Sequence, residues 1–162
     1  LILRMQVGIC TGFGCSFHPA ANIEKMSAGI PLNDEDRAGW LDSLCDELRR
    51  VDAMGQRPVL TCSALKRIYR DRLRAASPGL RFVFLDIARE QALARVTARA
   101  PEHFFSTSLV DSQFETLESP LGEADVLRVE AAQPLNAQLD TILCWLGHPS
   151  HQTAHPIEEN LS

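Results

Sequence analysis

Three cations, Lys66, Arg70 and Arg74, recur at four-residue steps in the stretch CSALKRIYRDRLR, residues 62–74. On a helix this spacing puts all three on one face, where they can hold a carboxylate and offset phosphate charge. Paired with Asp71 and nearby acids, the same face is the solvated side of an ordinary helix. The stretch follows the short apolar run Pro58–Cys62 and has Ser63 as a candidate N-cap. Free backbone N–H groups at the helix start and the Lys66 ammonium would then face one crevice. Arg95 and Arg99 also share a face, but an arginine pair on an amphipathic stretch is by itself ordinary surface.

Phosphate loops read G-x-x-x-x-G-K-[ST], with backbone amides around the phosphates, a lysine on the transferring one and a hydroxyl on Mg²⁺. The nearest approach is Gly8-Ile9-Cys10-Thr11-Gly12-Phe13-Gly14-Cys15-Ser16. Its outer glycines are one residue too far apart, and Cys15 stands where the lysine belongs. If Gly12, Gly14 and Ser16 form a nucleotide grip, it lacks a cation. By analogy with a lost oxyanion donor, that costs about 3–4 kcal/mol of transition-state stabilisation. His148, His151 and His155 are spaced like metal ligands, but Pro, Ser, Gln and Thr around them give no scaffold for four-fold coordination, and no metal site is expected. No Ser-His-Asp or Cys-His nucleophile arrangement stands out.

These residues need elements to position them. Residues 5–10 read as a strand, followed by a bend at Gly12 and Gly14. Pro19 and Gly29 bracket a short helix. Asn33 caps a longer one whose first turn carries Asp34, Glu35 and Asp36 and whose apolar stripe is Trp40, Leu41, Leu44, Leu48 and Val51, with Gly55 ending it. A strand at 58–62 leads to a helix over 64–76, and Pro78-Gly79 makes a turn. Residues 81–86 are a buried strand, 88–99 a helix, 100–107 a loop and 109–118 a helix. A strand at 126–130 and a helix at 135–146 follow. Strands alternating with helices predict an α/β fold, a parallel sheet with helices on both faces, whose ligands sit beyond the carboxyl ends of the strands. The polar tail, residues 148–162, reads as disordered.

The segment His18-Pro19-Ala20-Ala21-Asn22-Ile23-Glu24-Lys25-Met26, continuing into Gly29-Ile30-Pro31-Leu32-Asn33-Asp34-Glu35-Asp36-Arg37, resembles the substrate side of gluconokinases. The C-S-A-L-K-x-x-Y-R-D-x-L-R run and the stretch Ser112-Gln113-Phe114-Glu115-Thr116-Leu117-Glu118 carry the same resemblance. Together these motifs cover about Phe17 to Leu146. The resemblance implies a P-loop kinase of the nucleoside-monophosphate-kinase type, which uses ATP and Mg²⁺ to phosphorylate D-gluconate to 6-phosphogluconate.

Residue by residue, it implies substrate contacts from His18, Lys66, Arg70 and Arg74. Arg95 and Arg99 would reach the transferring phosphate from a lid over about 95–118 that includes His103-Phe104. Gln133 and Pro134 resemble the adenine-side loop. His18 could donate to a sugar hydroxyl or satisfy the loop backbone, and Lys25 reads as solvated. In the family roughly two dozen residues, with an acid that serves as base, separate the phosphate loop from His18. Here Ser16 runs straight into Phe17-His18, and no Asp or Glu precedes Glu24. The expected organisation is therefore a divergent segment 1–16, a kinase-like domain 17–147 and a tail. Phosphoryl transfer should be strongly reduced. The alternatives are a non-catalytic remnant or a kinase of the same fold acting on another small molecule. Removing a helix and a strand would also strip cover from the sheet and leave an exposed edge, predicting low stability or self-association.

Size and composition fit one soluble domain: 162 residues, 45% hydrophobic and 23% charged. A net charge of −5 argues against nucleic acid or anionic membrane as partners. No apolar run approaches a membrane span, and Leu1-Ile2-Leu3-Arg4 is too short for a signal core. The first residue is Leu rather than Met, as in a fragment or an unusual gene start. Five cysteines without a C-x-x-C pair suit a reducing cytoplasm, with most thiols buried. A homodimer is a further possibility at this level.

Overall fold

The computed structural model describes residues 11–57, 59–99 and 106–147. Among these residues four short strands alternate with six helices: β1 (Thr11–Phe13), α1 (Ala20–Ser27), α2 (Asp34–Ala53), β2 (Val59–Thr61), α3 (Arg67–Ala76), β3 (Phe82–Asp86), α4 (Arg89–Arg99), α5 (Leu109–Thr116), β4 (Val126–Glu130) and α6 (Leu135–Trp145). A 3-10 turn, Gly14–Phe17, follows β1. The strands form two parallel pairs, β1 with β2 and β3 with β4. Thr11 lies opposite Val59, and Phe82 through Asp86 lie opposite Val126 through Glu130.

Alternation along β3 builds both faces of an α/β layer. Phe82 packs into a core with Trp40, Leu44 and Leu48 of α2, Tyr69 and Leu73 of α3, and Leu60 of β2. Val83 packs the other way, against Val129 of β4 and Ile142 of α6. A third small cluster, Met26, Leu32 and Leu109, ties α1 and the following loop to α5. The expected architecture of parallel strands covered on both faces is met. Among the described residues, no helix is long and apolar enough to cross a membrane.

Helix α2 starts as its sequence dictates. The Asp36 N–H donates to Asn33 Oδ1 at 2.8 Å, and the Asn33 N–H donates to Asp36 Oδ2 at 3.1 Å. This capping box satisfies two N–H groups the helix cannot. Gly55, at φ +68°, lies just beyond its end.

Three boundaries differ from the sequence reading by two residues or more, one of them the end of α5, which stops at Thr116 rather than Glu118. The expected bend at Gly12 is strand β1, because Thr11–Phe13 run extended alongside β2; the expected strand at 5–10 lies outside the described residues. Helix α3 begins at Arg67 rather than Ala64, and Ser63 does not cap it. Its cap comes from elsewhere in the chain: the Arg67 N–H donates to Glu118 Oε2 at 2.6 Å. The histidines at 148, 151 and 155, the pair His103-Phe104 and the tail also lie outside the described residues.

Candidate functional site

The start of α3 and the start of α2 bring three side chains together. Lys66, at the N-cap position of α3, donates to both carboxylate oxygens of Asp34, at 2.6 and 2.8 Å. The Tyr69 hydroxyl donates to the same carboxylate. These hydrogen bonds, Lys66 first and Tyr69 second, hold the Asp34 carboxyl below its ordinary range. Burial, and then the bond to Asp34, push the Tyr69 phenol above its usual value. The three residues line a pocket of about 540 Å³, walled by Pro31, Leu32 and Asn33 and, from α5, by Ser112 and Thr116. Arg37, buried beneath, sits 6.0 Å from the Tyr69 ring and donates to the Leu32 carbonyl at 3.3 Å. The pocket thus offers one ammonium, paired with the Asp34 carboxylate, beside a second carboxylate at Glu35 and the hydroxyls of Tyr69, Ser112 and Thr116. That set suits a small anionic, hydroxyl-bearing molecule, whose acid group could take the ammonium from Asp34.

Arg70 and Arg74 do not join Lys66 at the pocket. The Arg70 guanidinium is 2% exposed. Its Nε lies 3.1 Å from both oxygens of Glu123, and its Nη1 donates to the carbonyls of Ala64 and Leu65 at 2.9 and 2.8 Å. Arg74 donates to the other side of Glu123 at 2.8 Å and lies 4.5 Å over the Phe82 ring. Burial works against the Glu123 charge, but the two arginines hold its carboxyl below the usual range. The expected three-cation face is therefore one lysine in the pocket lining and two arginines committed to a buried carboxylate. Helix α3 starts late, so Lys66 precedes the helix instead of sharing its face.

No protein-family model matches the chain. It is similar to the thermosensitive gluconokinase of Escherichia coli (strain K12), 46% identical over 118 residues, which is 72% of this chain and 63% of that protein. It is also similar to the gluconokinase of Gluconobacter oxydans (strain 621H), 42% identical over 145 residues, which is 86% of this chain and 81% of that protein. A crystal structure of a gluconokinase from Sinorhizobium meliloti 1021 superposes with a TM-score of 0.73 at 41% identity, covering 85% of this chain and 76% of that one. The chain belongs to the gluconokinase family. It spans less than two thirds of the Escherichia coli thermosensitive gluconokinase, 63% of that length.

In this gluconokinase-family chain, His18 lies outside the pocket lining. Its ring stacks on Trp40 with centroids 4.7 Å apart and planes 6° from parallel. The Asn22 amide lies 3.4 Å from His18 Nδ1 and also donates to the Asp36 carbonyl at 2.7 Å. An NH₂ can only donate, so the neutral ring carries its proton on Nε2. Burial, then the nearby Arg37 charge, lower the His18 pKa to about 4, so the ring is neutral at physiological pH. Lys25 pairs with Asp36 at 2.6 Å.

Arg95, Gln133 and Pro134 do converge, at the carboxyl end of β4. Arg95 Nη2 donates to the Ala131 carbonyl at 2.6 Å, and Gln138 Nε2 donates to the Gln133 carbonyl at 2.7 Å. Pro134 stands at the N-cap position of α6. Arg95 thus braces this loop with its guanidinium. Arg99 closes α4, and its side chain lies outside the described residues.

The glycine segment does not form a phosphate cradle in the described residues. Gly12 is a strand residue opposite Leu60, while Gly14 and Ser16 belong to the 3-10 turn. Sequence reasoning missed Asp34 as a pocket group and Glu118 and Glu123 as partners of α3. Asp34 was legible as helix-dipole charge and as part of the resembling segment, but without a pocket role, and the two glutamates lie about fifty residues from what they touch.

Proposed function

We propose that this chain carries the sugar-acid half of a gluconokinase, the enzyme class that transfers the terminal phosphate of ATP to D-gluconate with Mg²⁺. The observation that carries this reading is the Lys66–Asp34 pair, hydrogen-bonded in the lining of a pocket that also presents hydroxyls. Lys66 would take the gluconate carboxylate, replacing the bond to Asp34 with one to substrate. Asp34, which can only accept, would then orient sugar hydroxyls together with Ser112 and Thr116.

ATP supplies the phosphoryl group and Mg²⁺ offsets its charge, but the described residues do not fit a triphosphate. Gly12 is committed to a strand, and Cys15 replaces the lysine of the loop. Turnover by this chain should therefore be slow. Free thiols at buried Cys45 and Cys62 suit a reducing compartment such as the cytoplasm.

Calorimetric titration with gluconate, alongside 6-phosphogluconate formation under Mg²⁺ and ATP, tests the reading. Gluconate should bind, Lys66→Met should weaken binding at least tenfold, and product should form slowly. Absence of gluconate binding, or binding that Lys66→Met leaves unchanged, would overturn it.

A further inference from the structure

Lys66 sits at the end of a short extended segment, residues 62–66, that follows β2 and has no ladder of its own beyond Thr61. What fixes that segment is Arg70, reaching back from within α3. Its Nη1 donates to the carbonyls of Ala64 and Leu65, the two residues immediately before Lys66. The rest of the guanidinium is taken by Glu123, itself only 8% exposed. A planar guanidinium held by a bidentate carboxylate cannot rotate, so the two carbonyls it grips are held too.

A second tie reaches the same place from the far side. The Glu118 N–H donates to the Leu65 carbonyl at 3.0 Å, while the Glu118 carboxylate accepts the Arg67 N–H. Residues 117–123 thus clasp both ends of Lys66, and they directly follow α5, which supplies Ser112 and Thr116 to the pocket.

We infer that Arg70, with Glu123 and Glu118, is a positioning residue that sets where the Lys66 ammonium stands and ties it to the α5 wall of the pocket. None of the three lines the pocket themselves. The inference rests on the sugar-acid reading only for its effect on binding; the geometry of Lys66 can be read without any ligand.

The chain contains two lysines, Lys25 and Lys66, and each is paired with an aspartate at 2.6 Å. Limited acetylation with acetic anhydride, read by mass spectrometry as the Lys66 to Lys25 ratio, therefore carries its own reference. In Arg70→Gln the ratio should rise at least threefold, and amide exchange over 62–69 should quicken while α2 and α6 keep their rates. Should Arg70→Gln fail to fold, the milder Glu118→Gln leaves the buried pair intact and should shift the ratio in the same direction. In whichever variant folds, gluconate KM should rise at least fivefold with a smaller change in kcat. An unchanged lysine ratio, or exchange that quickens uniformly, would overturn the positioning role. A raised ratio in a protein that never binds gluconate would uphold that role and reject the substrate assignment instead.

Discussion

Asp34 and Lys66, thirty-two residues apart in sequence, are hydrogen-bonded at 2.6 Å in the lining of the pocket. The same carboxylate accepts from Tyr69, the chain's single tyrosine. Absorbance near the phenolate band therefore titrates this site alone. Tyr69 should ionise well above the usual value of about 10. Asp34→Asn should bring it down by removing an adjacent negative charge, while burial keeps it raised. A Tyr69 that titrates like a free phenol in the native protein would contradict the arrangement.

His18 gives a pH signature. Its pKa falls to about 4 in the fold from 6.5 when unfolded, so below pH 6.5 the unfolded chain binds the extra proton. Its contribution to stability is complete above pH 6.5 and is lost as pH drops from there to about 4. Melting temperature should decline across that window, and His18→Phe, which keeps an aromatic ring against Trp40, should flatten the decline. Equal slopes in the two proteins would remove His18 as the cause.

The contact between α1 and α5 can be taken apart at Gly29. Its φ of +74° disfavours any side chain, and a Cβ there would lie 2.6 Å from Ser108 Oγ. Gly29→Ala should destabilise by about 1–2 kcal/mol from backbone strain alone, plus the clash. Adding Ser108→Ala should recover only the steric share. Urea titration of the single and double variants measures both parts; strict additivity would mean the two residues do not touch.

Leu44 is fully buried between α2 and the strands. Leu44→Ala should cost about 2–5 kcal/mol, because the surrounding side chains close only part of the cavity. A loss below 1 kcal/mol in urea unfolding would show that this core is loosely packed.

Local rules carried much of the fold. The Asn33 cap, the stripe from Trp40 to Val51, and the strands at 82–86 and 126–130 were legible because caps, 3.6-residue periodicity and short apolar runs act over a few residues. Helix α3 was misplaced at its start because its first residues are governed by Arg70 and Glu118, not by Ser63. The same long-range ties explain why Lys66, Arg70 and Arg74 were read as one cationic face. Counting in fours assumes a helix that has already begun. Gly12 shows the opposite error: glycines suggest a turn, yet the partner strand Val59–Thr61 decides the conformation.

The first turn of α3 is finished by a carboxylate that lies fifty-one residues further along. A growing polypeptide that has left the ribosome only as far as β3 holds a helix with bare amides and a lysine without a fixed seat. Synthesis must deliver Glu118, and then Glu123, before that seat exists, so the pocket around Lys66 cannot be completed until the segment after α5 has been made.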